Sequence, residues 1–339
     1  MYKFKQVTSF TINKIGVKMK DKVLEALYEK KGEYVPTRDL ASKLEISEAE
    51  VKEHATSLKN EGYVIETSPD EEFKLKEDLT LLLPHKLKDS LKTSYIGKEI
   101  HYFREVDSTN EVAKKLARKG APEGTIVIAE SQSRGKGRRG KKWVSPLGGA
   151  WLSIILRPNT LPINAPQLTF IAGVAAAQTI KDEYGLDAGI KWPNDVLIDN
   201  KKVCGVLTEI STEIDTIDYI VTGIGIDANI DVDLLPPELK DTTTSLKSEL
   251  NQDISRMILV QKFLGNFEAM YDSFNEGNFS KILRKWRQLS KTIGKQVEIR
   301  KKTEFVRGEA VGVNSKGALI LELEDGTLRK IISGECRHI

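Results

Sequence analysis

The spacing of apolar residues near the start of the chain predicts three short helices and a hairpin. Val23, Leu24, Leu27 and Tyr28 recur at i, i+3 and i+4, the signature of a helix over 22–31. Gly32 ends it. Pro36-Thr37 opens a second helix, 38–44, with Leu40, Ala41 and Leu44 on one side. A third begins after Ser47, where Ser47 and Glu50 fit a capping box. It carries Val51, Ala55 and Leu58 as its stripe, and Gly62 closes it. Residues 63–66 and 73–75 then read as a hairpin around Ser68-Pro69-Asp70. Three helices and a two-stranded wing form the winged helix-turn-helix pattern. Its DNA-facing candidates are Thr37, Arg38, Ser47, Lys52 and His54. Residues 1–70 hold twelve Lys or Arg against twelve Asp or Glu. That balance is mild for a polyanion ligand, so packing or partner contact is the competing use of the module.

After a charged connector over 76–98 the period changes. Strands are expected at His101-Tyr102-Phe103, at 126–129, at 150–157, on both sides of the Pro193-Asn194-Asp195 bend, at 202–207 and at 219–226. Gly223 and Gly225 interrupt the last, which marks close approach by backbone or ligand. A long apolar helix is expected over 166–184 and two closing helices over 254–274 and 281–289. A helix also starts at Asp107-Ser108-Thr109-Asn110-Glu111. Ser108 and Glu111 fit a second capping box there; the other use of the segment is to face a polar ligand. Residues 296–300, 304–313, 318–322 and 328–332 alternate as strands of a small barrel.

Composition narrows the class. A chain of 339 residues with 40% hydrophobic content supports two or three domains. The formal charge of +3 demands no polyanionic partner by itself. Two cysteines and four histidines show no metal-ligand spacing, as expected for reduced thiols in the cytoplasm. Residues 1–22 lack the apolar core of a leader, and no run approaches the roughly 18 apolar residues of a membrane helix. A soluble cytoplasmic protein is expected.

The stretch that changes the picture lies between the strands at 126–129 and 150–157. From Glu130 to Trp143, six of fourteen residues are Lys or Arg and three are Gly. Glycines let backbone N–H groups approach an anion, and the cations neutralise it. A phosphate or a carboxylate is the expected ligand, with a nucleic-acid patch as the alternative. The spacing is not that of the phosphate loop G-x-x-x-x-G-K-[ST]. Lys191, Lys202, Asn194 and Asp195 add two cations, an amide and a carboxylate around the later bends.

Asp107-Ser108-Thr109-Asn110, Gln132, Gly135-Lys136-Gly137-Arg138-Arg139-Gly140, Trp143, Ser145-Pro146, Lys191-Trp192-Pro193-Asn194-Asp195 and Gly223-Ile224-Gly225-Ile226 stand in the order and spacing of biotin protein ligases. The chain resembles their bifunctional ligase/repressor form, strongly over 100–230 and more weakly to the end. The resemblance implies an α+β protein of three domains. These are a winged helix-turn-helix domain with connector (1–84), a class II synthetase-like mixed α/β catalytic domain (85–290) and an SH3-like β-barrel (291–339). It implies ATP-dependent formation of biotinyl-5′-AMP and transfer of biotin to a lysine of a biotin carboxyl carrier protein of acetyl-CoA carboxylase. By position, Ser108, Thr109, Asn110, Gln132, Lys136, Gly137, Arg138 and Lys202 would bind biotin. Lys191, Asn194, Asp195 and Trp143 would serve the nucleotide, and Lys202, Arg138 and Lys191 the chemistry. Mg²⁺ would accompany ATP, with Asp195 an indirect organiser. Operator DNA, homodimerisation and repression of biotin-synthesis genes are further implications; lipoate or octanoate ligation is the alternative chemistry on this fold. Lys136 and Asp227 depart from the family's usual Arg and Asn, and Arg337 is left without a role.

Overall fold

A computed structural model describes residues 19–30, 32–60, 63–76, 81–213, 216–301 and 304–339. Two compact units divide the chain, 1–81 and 82–339. In the first, α1 (Met19–Glu29), α2 (Thr37–Leu44) and α3 (Glu48–Asn60) accompany β1 (Val35–Pro36), β2 (Ile65–Thr67) and β3 (Glu72–Leu75). The expected stripes are the core: Val23, Leu24, Leu27, Leu40, Val51, Ala55 and Leu58 are all buried. The Ser47 capping box forms in both directions, with Glu50 N–H to Ser47 Oγ at 3.2 Å and Ser47 N–H to Glu50 Oε2 at 2.9 Å. The wing gains a strand the periodicity does not reveal, since the sheet order is β1-β3-β2. The expected stop at Gly32 follows α1 with a left-handed φ of 73°, while the expected stop at Gly62 and the sequence before Met19 lie outside the described residues.

The second unit opens with α4 (Pro84–Ser90), β4 (Ile100–Val106), α5 (Thr109–Arg118), β5 (Ile126–Gln132), β6 (Ala150–Leu156) and α6 (Gln167–Tyr184). There follow β7 (Gly189–Lys191), β8 (Asp195–Ile198), β9 (Lys201–Glu213), β10 (Thr216–Ile226), α7 (Pro237–Lys240), α8 (Leu246–Leu250), α9 (Arg256–Asn275) and α10 (Phe279–Gln288). Seven strands form one sheet, β4-β5-β6-β10-β9-β8-β7, parallel at β4/β5 and antiparallel elsewhere. The two faces differ because side chains alternate along each strand. Thr208 of β9 faces α6, whose Thr169 donates to it at 2.9 Å; α6 is apolar on nearly all sides and buried. On the opposite face Ala113 and Ala117 of α5 pack on Val127, Ile155, Tyr219 and Val221. Further along β10 on that face the residues shrink to Gly223 and Gly225, and the sheet surface becomes a floor.

The chain ends in five antiparallel strands, β11 (Gln296–Arg300), β12 (Phe305–Val313), β13 (Leu319–Glu322), β14 (Leu328–Ile331) and β15 (Glu335–His338), in the order β14-β13-β12-β11-β15. The first four match the expected strands. The fifth, Glu-Cys-Arg-His, has too little alternation to be read from sequence, yet it pairs along β11 from Val297–His338 to Arg300–Glu335.

Candidate functional site

The glycine floor exists because side chains from elsewhere lie on it. A Cβ on Gly223 would fall 2.1 Å from Asn110 Oδ1, and one on Gly225 would fall 2.6 Å from Trp143 Nε1. Gly205 pairs directly with Gly225 across β9/β10, and its Cβ would lie 2.8 Å from the Trp143 ring. Any larger residue would lift the indole. Lys202 Nζ stands 4.7 Å from the centroid of that ring, within cation–π range. Along one strand face the order is therefore amide, indole, ammonium. These groups line a cleft of about 780 Å³ that also takes in Ser108, Gln132, Lys136, Arg138, Lys191, Asn194 and Asp195.

At the amide end Thr109 N–H donates to Gln132 Oε1 at 2.8 Å, and Gln132 Nε2 donates to Ser145 Oγ at 2.8 Å. Ser153 Oγ lies 2.8 Å from Thr109 Oγ1 and 2.6 Å from Asn110 Oδ1. Asn110 is thus bonded inside the protein at its oxygen, and its amide nitrogen reaches Glu209 Oε2 at 2.8 Å. Ser108 precedes α5 in extended conformation but makes no side-chain cap, against the capping-box expectation. Its partner Glu111 is drawn away by Lys114 (2.6 Å) and Lys136 (2.5 Å), which hold the Glu111 carboxyl down to about 2. The Ser108 hydroxyl is left lining the cleft.

The basic loop is a narrow ribbon folded back on itself. Gln132 bridges Ser145, Lys136 bridges Lys142, and Gly137 N–H donates to Lys141 O at 2.7 Å. Positive φ at Arg139 (58°) and Gly140 (77°) turns its tip. Gly135 is needed where the ribbon crosses itself, since a Cβ there would sit 2.3 Å from the Trp143 carbonyl oxygen. Arg138 reaches into the cleft and donates to Asn194 Oδ1 at 3.0 Å; burial pulls its guanidinium below the usual arginine range, opposed by Asp195. Arg139 and Lys141 turn instead to the C-terminal strands, at Arg300 O (2.8 Å) and Glu335 (2.9 Å).

At the ammonium end Lys202 pairs with Asp195 Oδ1 at 2.7 Å. Trp192, despite its place in the motif, anchors the C-terminal strands, with its indole donating to Gly317 O at 3.1 Å. Asp227 lines the cleft and is almost fully buried; burial raises its carboxyl well above the usual range, partly opposed by Lys202. Cys336 and His338 of β15 complete the wall beside Lys191. Burial pushes the Cys336 thiol up to about 11 and, with Lys191 and Lys295, pulls the His338 imidazole down. Glu209, Lys114, Ser153 and the β15 residues were missed by sequence reasoning; the first three sit in ordinary strand and helix patterns that carry no site signal.

In the first unit the DNA-facing candidates separate. Arg38 is exposed beside Asp39, and Lys52 is bonded to Glu71. His54 is half-buried on α3, and the Ser47 hydroxyl is spent on its cap. Thr37 is a correction: it is buried, and its hydroxyl donates to the Glu71 carbonyl, so it holds the wing to α2 and presents nothing outward.

The chain that builds this sheet and cleft is similar to a family of protein ligases. The family model described as "Biotin/lipoate A/B protein ligase family" matches residues 102–227, and "Biotin protein ligase C terminal domain" matches 292–338. The "Bifunctional ligase/repressor BirA" of Bacillus subtilis is 34% identical over 314 residues, 92% of this chain and 96% of that protein. A "Biotin--[acetyl-CoA-carboxylase] ligase" of Paracoccus denitrificans is 32% identical over 63% of this chain and 90% of its own. Among solved structures, the Aquifex aeolicus biotin protein ligase in complex with biotin and ATP superposes with a TM-score of 0.64 at 31% identity, covering 71% of this chain and 100% of that one. The chain belongs to the biotin protein ligase family.

Proposed function

We propose that the second unit activates biotin with ATP and transfers it to a lysine of a biotin carboxyl carrier protein, and that the first unit binds operator DNA. The observation that carries the ligase reading is the single cleft joining the Thr109–Asn110–Gln132 hydrogen-bonding end to the Arg138–Lys202 cationic end. The first suits a neutral ureido ring, the second a carboxylate and a phosphate that must meet. In the first step a biotin carboxylate oxygen attacks the α-phosphorus of ATP, and the bond to the bridging oxygen of the β-phosphate breaks, releasing pyrophosphate. Two anions repel, so Lys202 and Arg138 lower the barrier by standing where charge accumulates. Lys191, Asn194 and Asp195 lie where they can hold the nucleotide, with Trp143 beside them as an apolar cover. In the second step the carrier lysine's neutral amine attacks the acyl carbon, AMP leaves and the amine loses a proton. No protein nucleophile is required. Lys136, Gly137 and Arg138 belong to the ribbon that shields the mixed anhydride from water.

Among the described residues no cluster of three His, Cys, Asp or Glu gathers to hold a metal, and Lys202 already engages Asp195. The described residues thus offer no cage for Mg²⁺, which would arrive on the nucleotide's phosphates. The functional division is 1–84, 85–290 and 291–339, the last domain closing the nucleotide end through β15. Cytoplasmic residence accords with the absence, among the described residues, of any helix long and apolar enough to cross a membrane. Homodimerisation is part of the same reading, tested by sedimentation with and without biotin and ATP.

The decisive experiment incubates the protein with ATP, labelled biotin and a carrier domain, with labelled lipoate in parallel. Label from biotin on the carrier lysine is expected; lipoate transfer without biotin transfer would overturn the reading. For the first unit, affinity is measured across salt for DNA upstream of biotin-synthesis genes. Binding no tighter than to random DNA would leave the helix-turn-helix without a repressor role.

A further inference from the structure

Behind the amide end of the cleft runs a chain of alternating charge that meets the cavity only at its two ends. Glu209 of β9 accepts from Asn110 Nδ2 on one oxygen (2.8 Å) and pairs with Lys114 Nζ on the other (2.9 Å). Lys114 also lies 2.6 Å from Glu111, and Glu111 holds Lys136 of the basic ribbon at 2.5 Å. Of these residues only Asn110 and Lys136 line the cleft. We propose that Glu209 is a positioning residue for biotin: it fixes the orientation of the Asn110 amide, while Lys114 neutralises its second oxygen. The proposal rests on the ligase reading.

The argument is one of donor and acceptor identity. A buried asparagine can present either end of its amide, and the Ser153 hydroxyl does not decide which, since it can donate to an oxygen or accept from a nitrogen. The Glu209 carboxylate only accepts, so the NH₂ end must face it and the carbonyl must face Ser153. The Leu207 carbonyl, 3.3 Å from the same nitrogen, adds a second acceptor on that side. Gly223 leaves the space in which the amide lies. A flipped Asn110 would put NH₂ protons toward the Ser153 hydroxyl and, through its contact with Thr109, disturb Gln132. Lys114 is the complement. Its side chain is only 18% exposed, and it satisfies the Glu209 oxygen that Asn110 leaves free.

These roles separate from that of a simple staple between α5 and β9. In Glu209→Gln the side chain keeps its shape, but Lys114 claims the Gln oxygen and the Gln NH₂ meets the Asn110 NH₂. The amide flips. We expect KM for biotin, and Kd for biotin by calorimetry without ATP, to rise about ten-fold, the scale of a hydrogen bond to a charged group. KM for ATP and kcat at saturating biotin should change less than about two-fold on the same scale. Adding Lys114→Met frees the Gln oxygen to turn to Asn110, so the double variant should recover most of the biotin affinity. A staple predicts the opposite, with the double variant no better than the single. Failure of the rescue, or an equal change in both KM values, would overturn the proposal. If Glu209→Gln does not fold, Lys114→Met alone tests it, since Glu209 then still orients Asn110 and Kd for biotin should stay within about three-fold; a ten-fold rise would count against it. Wild-type protein unable to form an adenylate from biotin would remove the ligase reading itself.

Discussion

The two units place cations in contrasting ways. In the first, Arg38, Lys43, Lys52 and Lys76 each stand on the surface beside a carboxylate, Asp39, Glu29, Glu71 and Glu66 respectively. Such exposed pairs contribute little stability, and a polyanion must compete with each carboxylate for its cation. In the second, Arg138 and Lys202 come from segments far apart in sequence and meet over a glycine floor, part-buried, where charge interacts more strongly than in water. The same kinds of charge thus give a dispersed, mutually cancelled surface in one unit and a convergent site in the other. The contrast predicts large losses from single substitutions in the cleft and small, salt-sensitive effects in the helix-turn-helix.

The largest effect belongs to Lys202→Ala. Removing a cation placed on the reacting charge should lower adenylate formation about 100-fold or more. Folding should suffer less than adenylation, because the Asp195 side chain is 25% exposed, although the Oδ1 that loses its partner is buried. Pyrophosphate release with biotin and ATP, read beside a thermal melt, checks both halves. Undiminished turnover would take Lys202 out of the site.

Arg138→Gly comes next. It removes the bond to Asn194 and adds a flexible residue to the ribbon. Dissociation of labelled biotinyl-5′-AMP should speed up about ten-fold, while Arg138→Lys, keeping charge but losing the fork, should fall between. Equal release rates in all three proteins would mean the ribbon's grip lies elsewhere.

What was legible in the sequence follows from what local pattern can encode. The ribbon announced itself because glycine spacing and charge are local properties. Gly223 and Gly225 were legible as points of close approach, though not that Asn110 and Trp143 are what approach them. The Ser108–Glu111 box fits its template as well as Ser47–Glu50 does; Lys114, one turn on in the same helix, and Lys136, brought by the ribbon, decide that Glu111 goes elsewhere. Thr37 fails as an outward residue for the same reason, since its partner is a wing carbonyl. Glu209 is invisible because its meaning depends on an amide 99 residues away. Strand β15 carries a single apolar residue, Cys336, and is defined by its neighbour β11.

Asp227 gives a smaller effect with a definite sign. Its folded pKa is raised by burial, so folding favours the neutral acid. The stability of this arrangement is full below the ordinary carboxylate pKa and is lost as pH rises through the folded value. Asparagine stays neutral throughout. The melting temperature of Asp227→Asn relative to wild type should therefore climb between pH 5 and pH 8, by roughly 2–4 °C for each kcal/mol lost by the acid. A gap independent of pH would mean that Asp227 is ionised and solvated in the folded protein.

The smallest effect tests the other side of the contrast. Glu71→Gln should release Lys52 without disturbing the wing, because the group that Thr37 uses on residue 71 is its backbone carbonyl. If α3 meets DNA, one freed cation adds about one phosphate contact, steepening the salt slope by roughly 0.9. Affinity for non-specific DNA should then rise about two- to three-fold at low salt, and the gain should fade near 0.2 M as screening shortens the reach of an exposed charge. Lys52→Ala in the same background should erase the gain. A gain that survives without Lys52 would come from the lost negative charge alone, and α3 would not need to touch the phosphates. No gain in either protein would leave the first unit's cations as solvated partners of their own carboxylates.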